Sequence, residues 1–270
     1  MSHYYALDGT PTYELKGANG KMRPTTIRDA RKLTLVPSVT TIMAVQDKPA
    51  LLIWKQGQIL DAVLNNPINP LSQGALVDYW RKEIVSRSND VGRKAAENGN
   101  IIHDSLEQYI KDGVVDTKML NIVEPVMNFL KENFSGFEWV AEDSFAHPLG
   151  FGGKIDLYGV KNKGKDNEQR MVLDFKTKNK GTDDIEKLKA YDDHHLQTAA
   201  YTKGLEDTKF DKNLDYSAWG RYNLFIGYEI VDNSFVFTGL KLTESKDFER
   251  EWGMFEKLLE FWKLKNNYQP

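Results

Sequence analysis

The chain has 270 residues, 40% of them apolar, 28% charged and 11% aromatic, with a formal net charge of −3. That length and apolar share allow one substantial core with room for a helical subdomain, and they exclude a disordered or collagen-like polymer. There is no cysteine, which excludes disulfides, thiolate zinc sites and iron–sulfur clusters.

Residues 1–36 alternate short β-like pieces (HYYALDG, TYELKG, KLTLV) with turns such as ANGK, and read as an N-terminal β arm. Six cations (Lys16, Lys21, Arg23, Arg28, Arg31, Lys32) face one acid, Asp29, within this arm. The run reads equally as a solvated loop or as a phosphate-contacting patch, with Arg23, Arg28 and Lys32 as its candidate phosphate contacts. A helical part is expected over 37–135. Ser38 caps its first helix, 39–45, and Asp47 with Pro49 opens the second, which NNPINP (65–70) breaks. Ser72 caps a third helix through Arg87, a fourth runs from the NDVGRK stretch to Gly113, and a fifth runs from Asp116 to Asn133.

Period-two patterning then predicts strands at 137–146, 152–160 and 170–178, a helix over 182–204, and strands near 220–230 and 234–241. An amphipathic helix over 244–265 closes the chain. Helices followed by a β-meander, a helix and two more strands give an α/β fold with a mixed sheet. The whole of 1–270 reads as a single domain: arm 1–36, helical part 37–135, sheet core 136–270.

FGGKIDLYG (151–159) and MVLDFKTKNK (171–180) form a hairpin around a polar loop. Asp174 and Lys176, two apart on one strand, point to the same face, while Phe175 turns into apolar packing. The Gly152–Gly153 pair lets the backbone bend or lets something approach closely. The hairpin brings Asp156 beside Asp174, and two like charges that close need a cation between them or a raised pKa on one. Magnesium or manganese, with its taste for hard oxygen ligands, suits the pair. The bland alternative is a surface ion pair, which the flanking apolar residues disfavour.

G-G-x-I-D, then D-F-K, then QTAAY at 197–201 resembles the PD-(D/E)xK nuclease superfamily, specifically its RecB-type exonuclease branch. That branch includes phage exonucleases and the mitochondrial genome maintenance exonuclease. The similarity spans roughly residues 36 to 265 by motif order. It implies a restriction-endonuclease-like αβββαβ core, with the early helices as an added N-terminal helical subdomain. It also implies that Asp156, Asp174 and the backbone carbonyl of Phe175 ligate the metal and that Lys176 stands near the attacking water. A single helical histidine usually just packs, but the family carries one four residues after a glycine, a pattern matched by Gly99 and His103, which implies a ligand. Glu142 is open between a metal ligand or water-positioning base and a residue facing away. Gln197 and Tyr201 match the family's Q-x-x-x-Y motif, whose members line the site; taken alone they also fit a core tyrosine with its cap. His194, one turn earlier, and Lys178 are candidate phosphate contacts. Glu107 reads as an outer partner of the metal shell or a solvent ion pair. Trp54, Tyr79 and Trp80 read as stacking platforms or as helix packing, and His147 as structural.

The implied function is a metal-dependent DNA exonuclease acting on single-stranded DNA or DNA ends in replication, recombination or repair, with a helicase or single-strand-binding protein as a candidate partner. The rivals are a structure-specific or restriction-type endonuclease, and a DNA-binding module with an inactive site. No apolar run reaches membrane-spanning length and the opening MSHYYALDG is neither a signal nor a transit peptide. A cytoplasmic location, in a bacterium or a phage-infected cell, is therefore expected, with no membrane partner.

Overall fold

The computed structural model describes residues 2–67, 73–210 and 214–270. In chain order the elements are β1 (Tyr4–Tyr5), β2 (Glu14–Lys16), β3 (Met22–Pro24), α1 (Ile27–Leu33), β4 (Val36–Pro37), α2 (Val39–Met43), α3 (Pro49–Asn65), α4 (Ala75–Asp112) and α5 (Leu120–Asn133). Then come β5 (Glu138–His147), β6 (Phe151–Lys161), β7 (Gln169–Asn179), α6 (Thr182–Ile185), α7 (Asp192–Lys209), β8 (Gly220–Val231), β9 (Ser234–Glu244) and α8 (Phe248–Asn266). The chain divides into two units, 1–46 with 102–270, and 47–101, so only the middle of the expected helical part stands apart from the sheet. No helix among the described residues is long and apolar enough to cross a membrane.

The larger unit is α/β with a five-stranded mixed sheet in the order β5-β6-β7-β8-β9. β5, β6 and β7 form an antiparallel meander, β8 returns parallel to β7 after α7, and β9 closes antiparallel. A parallel neighbour needs a crossover, and α7 supplies it. Two apolar clusters cover the sheet. One joins α2, α7 and α8 residues to Phe145, Phe151, Ile155 and Val172. The other joins the end of α4 and α5 to Ala141, Leu157, Leu173 and Phe175.

The arm is not all β. Thr26 and Asp29 form a capping box, each side chain taking the other's backbone N–H, and start α1; Thr34 ends it in the left-handed region. The arm is joined to the sheet by β1 pairing with β4 and by a bridge from Ser38 to Gly152.

The expected third and fourth helices are one 38-residue helix, α4; its expected cap Ser72 lies outside the described residues. Within α4 the side chains of the turn-forming Ser88 and Asn89 both donate back to the carbonyl of Val85, an arrangement a helix tolerates. The expected helix over 182–204 is instead the short α6 and then α7. Tyr191 is extended there, and Asp192 and Asp193 sit in the first turn of α7, where the helix dipole favours acids. The last helix starts at Phe248, after Asp247 accepts from the N–H of Arg250.

Two features seat α7 on the sheet. Gly204 leaves room for the Phe145 ring, since a Cβ there would fall 2.0 Å from it. At its C-terminal end, buried Glu206 accepts from Arg170 at 2.5 Å and from the Trp219 indole at 2.7 Å, and Arg170 also pairs with Glu168 at 2.6 Å. A buried guanidinium is tolerable only with such full pairing.

The smaller unit contains α3 and the part of α4 before residue 102. Trp54 packs against Gly92, and the Trp80 indole donates to the carbonyl of Asn66 at 2.7 Å.

Candidate metal centre

The β6–β7 ladder ends at Leu157 and Leu173. One step beyond, Asp156 and Asp174 stand opposite each other where the strands part. The N–H of Phe175, no longer used by the ladder, donates to Asp156 Oδ2 at 2.8 Å. β5 contributes Glu142: Ala141 pairs with Leu157 and Asp143 with Ile155, so Glu142 falls opposite Asp156. The backbone of Glu142 is left-handed, with φ 57°, a conformation that costs a non-glycine residue about 1 kcal/mol.

Alternation breaks here too. Ile155 and Leu157, two apart, belong to different apolar clusters, and Phe145 and Ala141, four apart, are split in the same way. The β5–β6 ribbon therefore changes phase at Glu142 and Asp156, the two residues that meet His103. Ligand atoms of His103, Glu142 and Asp156 all lie within 4.8 Å of one another.

Asp174 and Lys176 share the face of β7 toward α7. Lys176 Nζ lies 2.6 Å from Asp174 Oδ2, a close and largely buried ion pair. Gln197 bridges the two: its Nε2 donates to Asp174 Oδ1 and to the Tyr201 hydroxyl, and its Oε1 accepts from Lys176, each at 2.9 Å. The Tyr201 ring packs on Gly153 and the Tyr5 ring on Gly152, where a Cβ would approach each ring to 2.8 Å. Close approach is what the glycine pair is for.

The titration behaviour follows from crowding. Burial and neighbouring Asp156 push Asp174 up to about 6, against the pull of Lys176. Burial would also raise Asp156, but His103 at 3.5 Å and Lys176 outweigh it and hold its carboxyl below the usual range. His103 answers in kind: burial alone would lower it, yet Asp156 raises it. Burial lifts Glu142 against the pull of Lys154, whose ammonium contacts it directly.

An imidazole beside two carboxylates, with the Asp174 carboxylate opposite Asp156, is a donor set that could hold a divalent ion through nitrogen and hard oxygen. With no cysteine in the chain, an iron–sulfur cluster is excluded.

Other expected residues lie as follows. Phe175 packs its ring against His103, with centroids 5.9 Å apart. Glu107 pairs with Lys111 at 2.6 Å, the solvent ion pair, with Lys154 at 3.9 Å. Lys178 is half-buried, and burial with neighbouring Lys176 lowers its pKa. Burial and the same lysine push His194 down to about 4, so it stands there as a neutral ring rather than a cation. Arg23 is neutralised by a two-pronged pair with Asp29 at 2.7 and 2.9 Å, while Arg28 and Lys32 are exposed on α1. Sequence reading missed Lys154, although its spacing from Asp156 in GGKID held the signal.

No family model matches the chain, and no curated protein matches it. Among solved structures it is similar to the crystal structure of SSO0001, at 13% identity and a TM-score of 0.32, over 79% of this chain and 87% of that one.

His147, expected to be structural, is saturated: Nε2 lies 2.8 Å from Asp207 and Nδ1 accepts from the N–H of Leu149 at 3.1 Å.

Proposed function

We propose that the protein is a metal-dependent DNA exonuclease of the PD-(D/E)xK type, hydrolysing phosphodiester bonds of single-stranded DNA or DNA ends in replication, recombination or repair. The observation that carries this reading is the meeting of Asp156 and Asp174 at the parting of β6 and β7, with Lys176 tied to Asp174 and Gln197. The order α5, three antiparallel strands, α7, then a strand parallel to the third supports an αβββαβ restriction-endonuclease-like core.

His103, Glu142 and Asp156 would hold the ion, with Asp174 beside them. A bound magnesium or manganese would polarise the phosphoryl oxygen and lower the pKa of a bound water. Lys176 would stabilise the negative charge that builds on phosphorus as water adds. Gln197 fixes the Lys176 ammonium through Oε1, and Tyr201 fixes Gln197. Asp156 is held ionised mainly by His103 and Lys176, and the Phe175 N–H orients it.

The test is degradation of a labelled single-stranded oligonucleotide with MgCl2 or MnCl2, against EDTA. Metal-dependent loss of label is expected, absent in Asp174→Ala and Lys176→Ala; equal activity in variants and wild type refutes the reading. A closed circular single strand should survive where the linear one is digested.

A further inference from the structure

We propose that the N-terminal arm carries a nucleobase slot built on a stacked His3–Tyr13 pair. A cavity of about 420 Å³ is lined by His3, Pro11, Tyr13, Glu14 and Pro24, within the size range of small-ligand sites. The His3 and Tyr13 rings lie 4.4 Å apart and 27° from parallel. The two rings, with Pro11 and Pro24, supply most of the cavity lining, apolar and aromatic groups of the kind on which bases of any sequence stack.

The lining is anchored. The Tyr13 hydroxyl is 2.7 Å from that of Tyr5, whose ring is buried on Gly152 of β6. The N–H of His3 donates to Thr41 Oγ1 at 2.9 Å. Such pre-organisation lowers the entropic cost of binding.

The chemistry of the rim selects the ligand. Glu14 is exposed and can accept from an exocyclic amine of adenine, guanine or cytosine. Its charge repels phosphate from the slot itself. The cations belong to the tip of the β2–β3 hairpin, where Lys16 and Lys21 are exposed, so the ligand's phosphate would lie there. An amine-bearing base with a phosphate at a distance describes a nucleotide unit. Tyr5, which holds the Tyr13 hydroxyl, packs on Gly152, and that glycine lies on the same strand as Asp156 of the candidate metal centre. The inference rests on the nuclease reading for the source of the base, a single-stranded DNA end.

The experiment is a titration of 2′-deoxyadenosine 5′-monophosphate in EDTA, followed by saturation-transfer NMR. Saturation of the adenine protons is expected in the wild type. Tyr13→Leu should weaken binding by about five- to hundredfold, the loss of one stacked base. Glu14→Ala, an exposed substitution, should reduce the preference for the adenine nucleotide over the thymidine one, and it carries the test if Tyr13→Leu does not fold. No binding by the wild type at millimolar ligand, or wild-type binding in every folded variant, overturns the slot. Cleavage plays no part in this readout. Failure of metal-dependent digestion alone sinks the nuclease reading, and failure of nucleotide binding alone sinks the slot.

Discussion

Glu142 faces Asp156 across the β5–β6 ladder from a left-handed backbone, φ 57°, in the middle of a strand. Strain of that kind persists where something else over-determines it. Glu142→Gly removes both carboxylate and strain, whereas Glu142→Ala removes only the carboxylate. The glycine variant should be more stable than the alanine variant by about 1 kcal/mol in urea unfolding. Both should lose manganese affinity alike in calorimetric titration. Equal stabilities would show that the backbone is relaxed there.

Gln197 is the one side chain bonded to both Asp174 and Lys176 among the described residues. On the nuclease reading, Gln197→Ala should lower kcat about tenfold with KM little changed, since the Lys176 charge it positions would act in the transition state rather than in binding. Lys176→Ala should cost about 100- to 1000-fold, the scale for losing one preorganised charge-stabilising donor. Steady-state kinetics on a single-stranded oligonucleotide separates these; a KM effect without a kcat effect in Gln197→Ala would count against the positioning role.

His194 takes up a proton only near pH 4 when folded, against an ordinary 6.5. The unfolded chain therefore binds more protons between those values, and this histidine makes stability fall as pH falls through that window. The contribution is at most about 3 kcal/mol and is fully present above the unfolded value. Asp174, lifted to about 6 from 3.8, works in the opposite sense below pH 6. Urea midpoints of wild type and His194→Gln, compared at pH 7 and pH 4.5, isolate the histidine: the gap between them should shrink on acidification. A constant gap would mean that the ring is not held neutral.

Gly204→Ala would place a Cβ 2.0 Å from Cε2 and 2.1 Å from Cζ of the buried Phe145 ring. Overpacking of this severity should destabilise by about 2–3 kcal/mol in urea unfolding. Phe145→Leu in the same chain should recover part of that loss, although alone it destabilises; simple additivity of the two would argue that α7 moves away instead of clashing.

The strands were legible to within a residue or two at most ends because alternation survives wherever one face is buried, and the mixed sheet followed from the element order. The helices of the middle were less so: Ser88-Asn89-Asp90 looks like a boundary, yet α4 runs through it, with the Ser88 and Asn89 side chains turned back to the carbonyl of Val85. Thr26-x-x-Asp29 was a readable capping signal passed over because KLTLV favoured a strand. Period-two spacing and the hairpin put Asp156, Asp174 and Lys176 together, whereas the spacing of Gln197 and Tyr201 fixes only a shared helix face and their place at the site is what the motif resemblance implies. Glu142 stayed ambiguous for a physical reason: the phase change that turns it toward His103 comes from a left-handed residue that no periodicity announces. Arg23 stays open between solvated loop and phosphate contact on sequence alone, since composition sets Asp29 against six cations without saying which one it pairs with.

The Gly204–Phe145 contact also constrains how this sequence can change over generations. A helix with no side chain at 204 and a strand with a full ring at 145 divide one fixed volume between them. Drift at either position alone opens a void or forces a collision. True homologues should therefore trade bulk between these two columns, and that compensation would identify distant kin even after the motif residues have diverged.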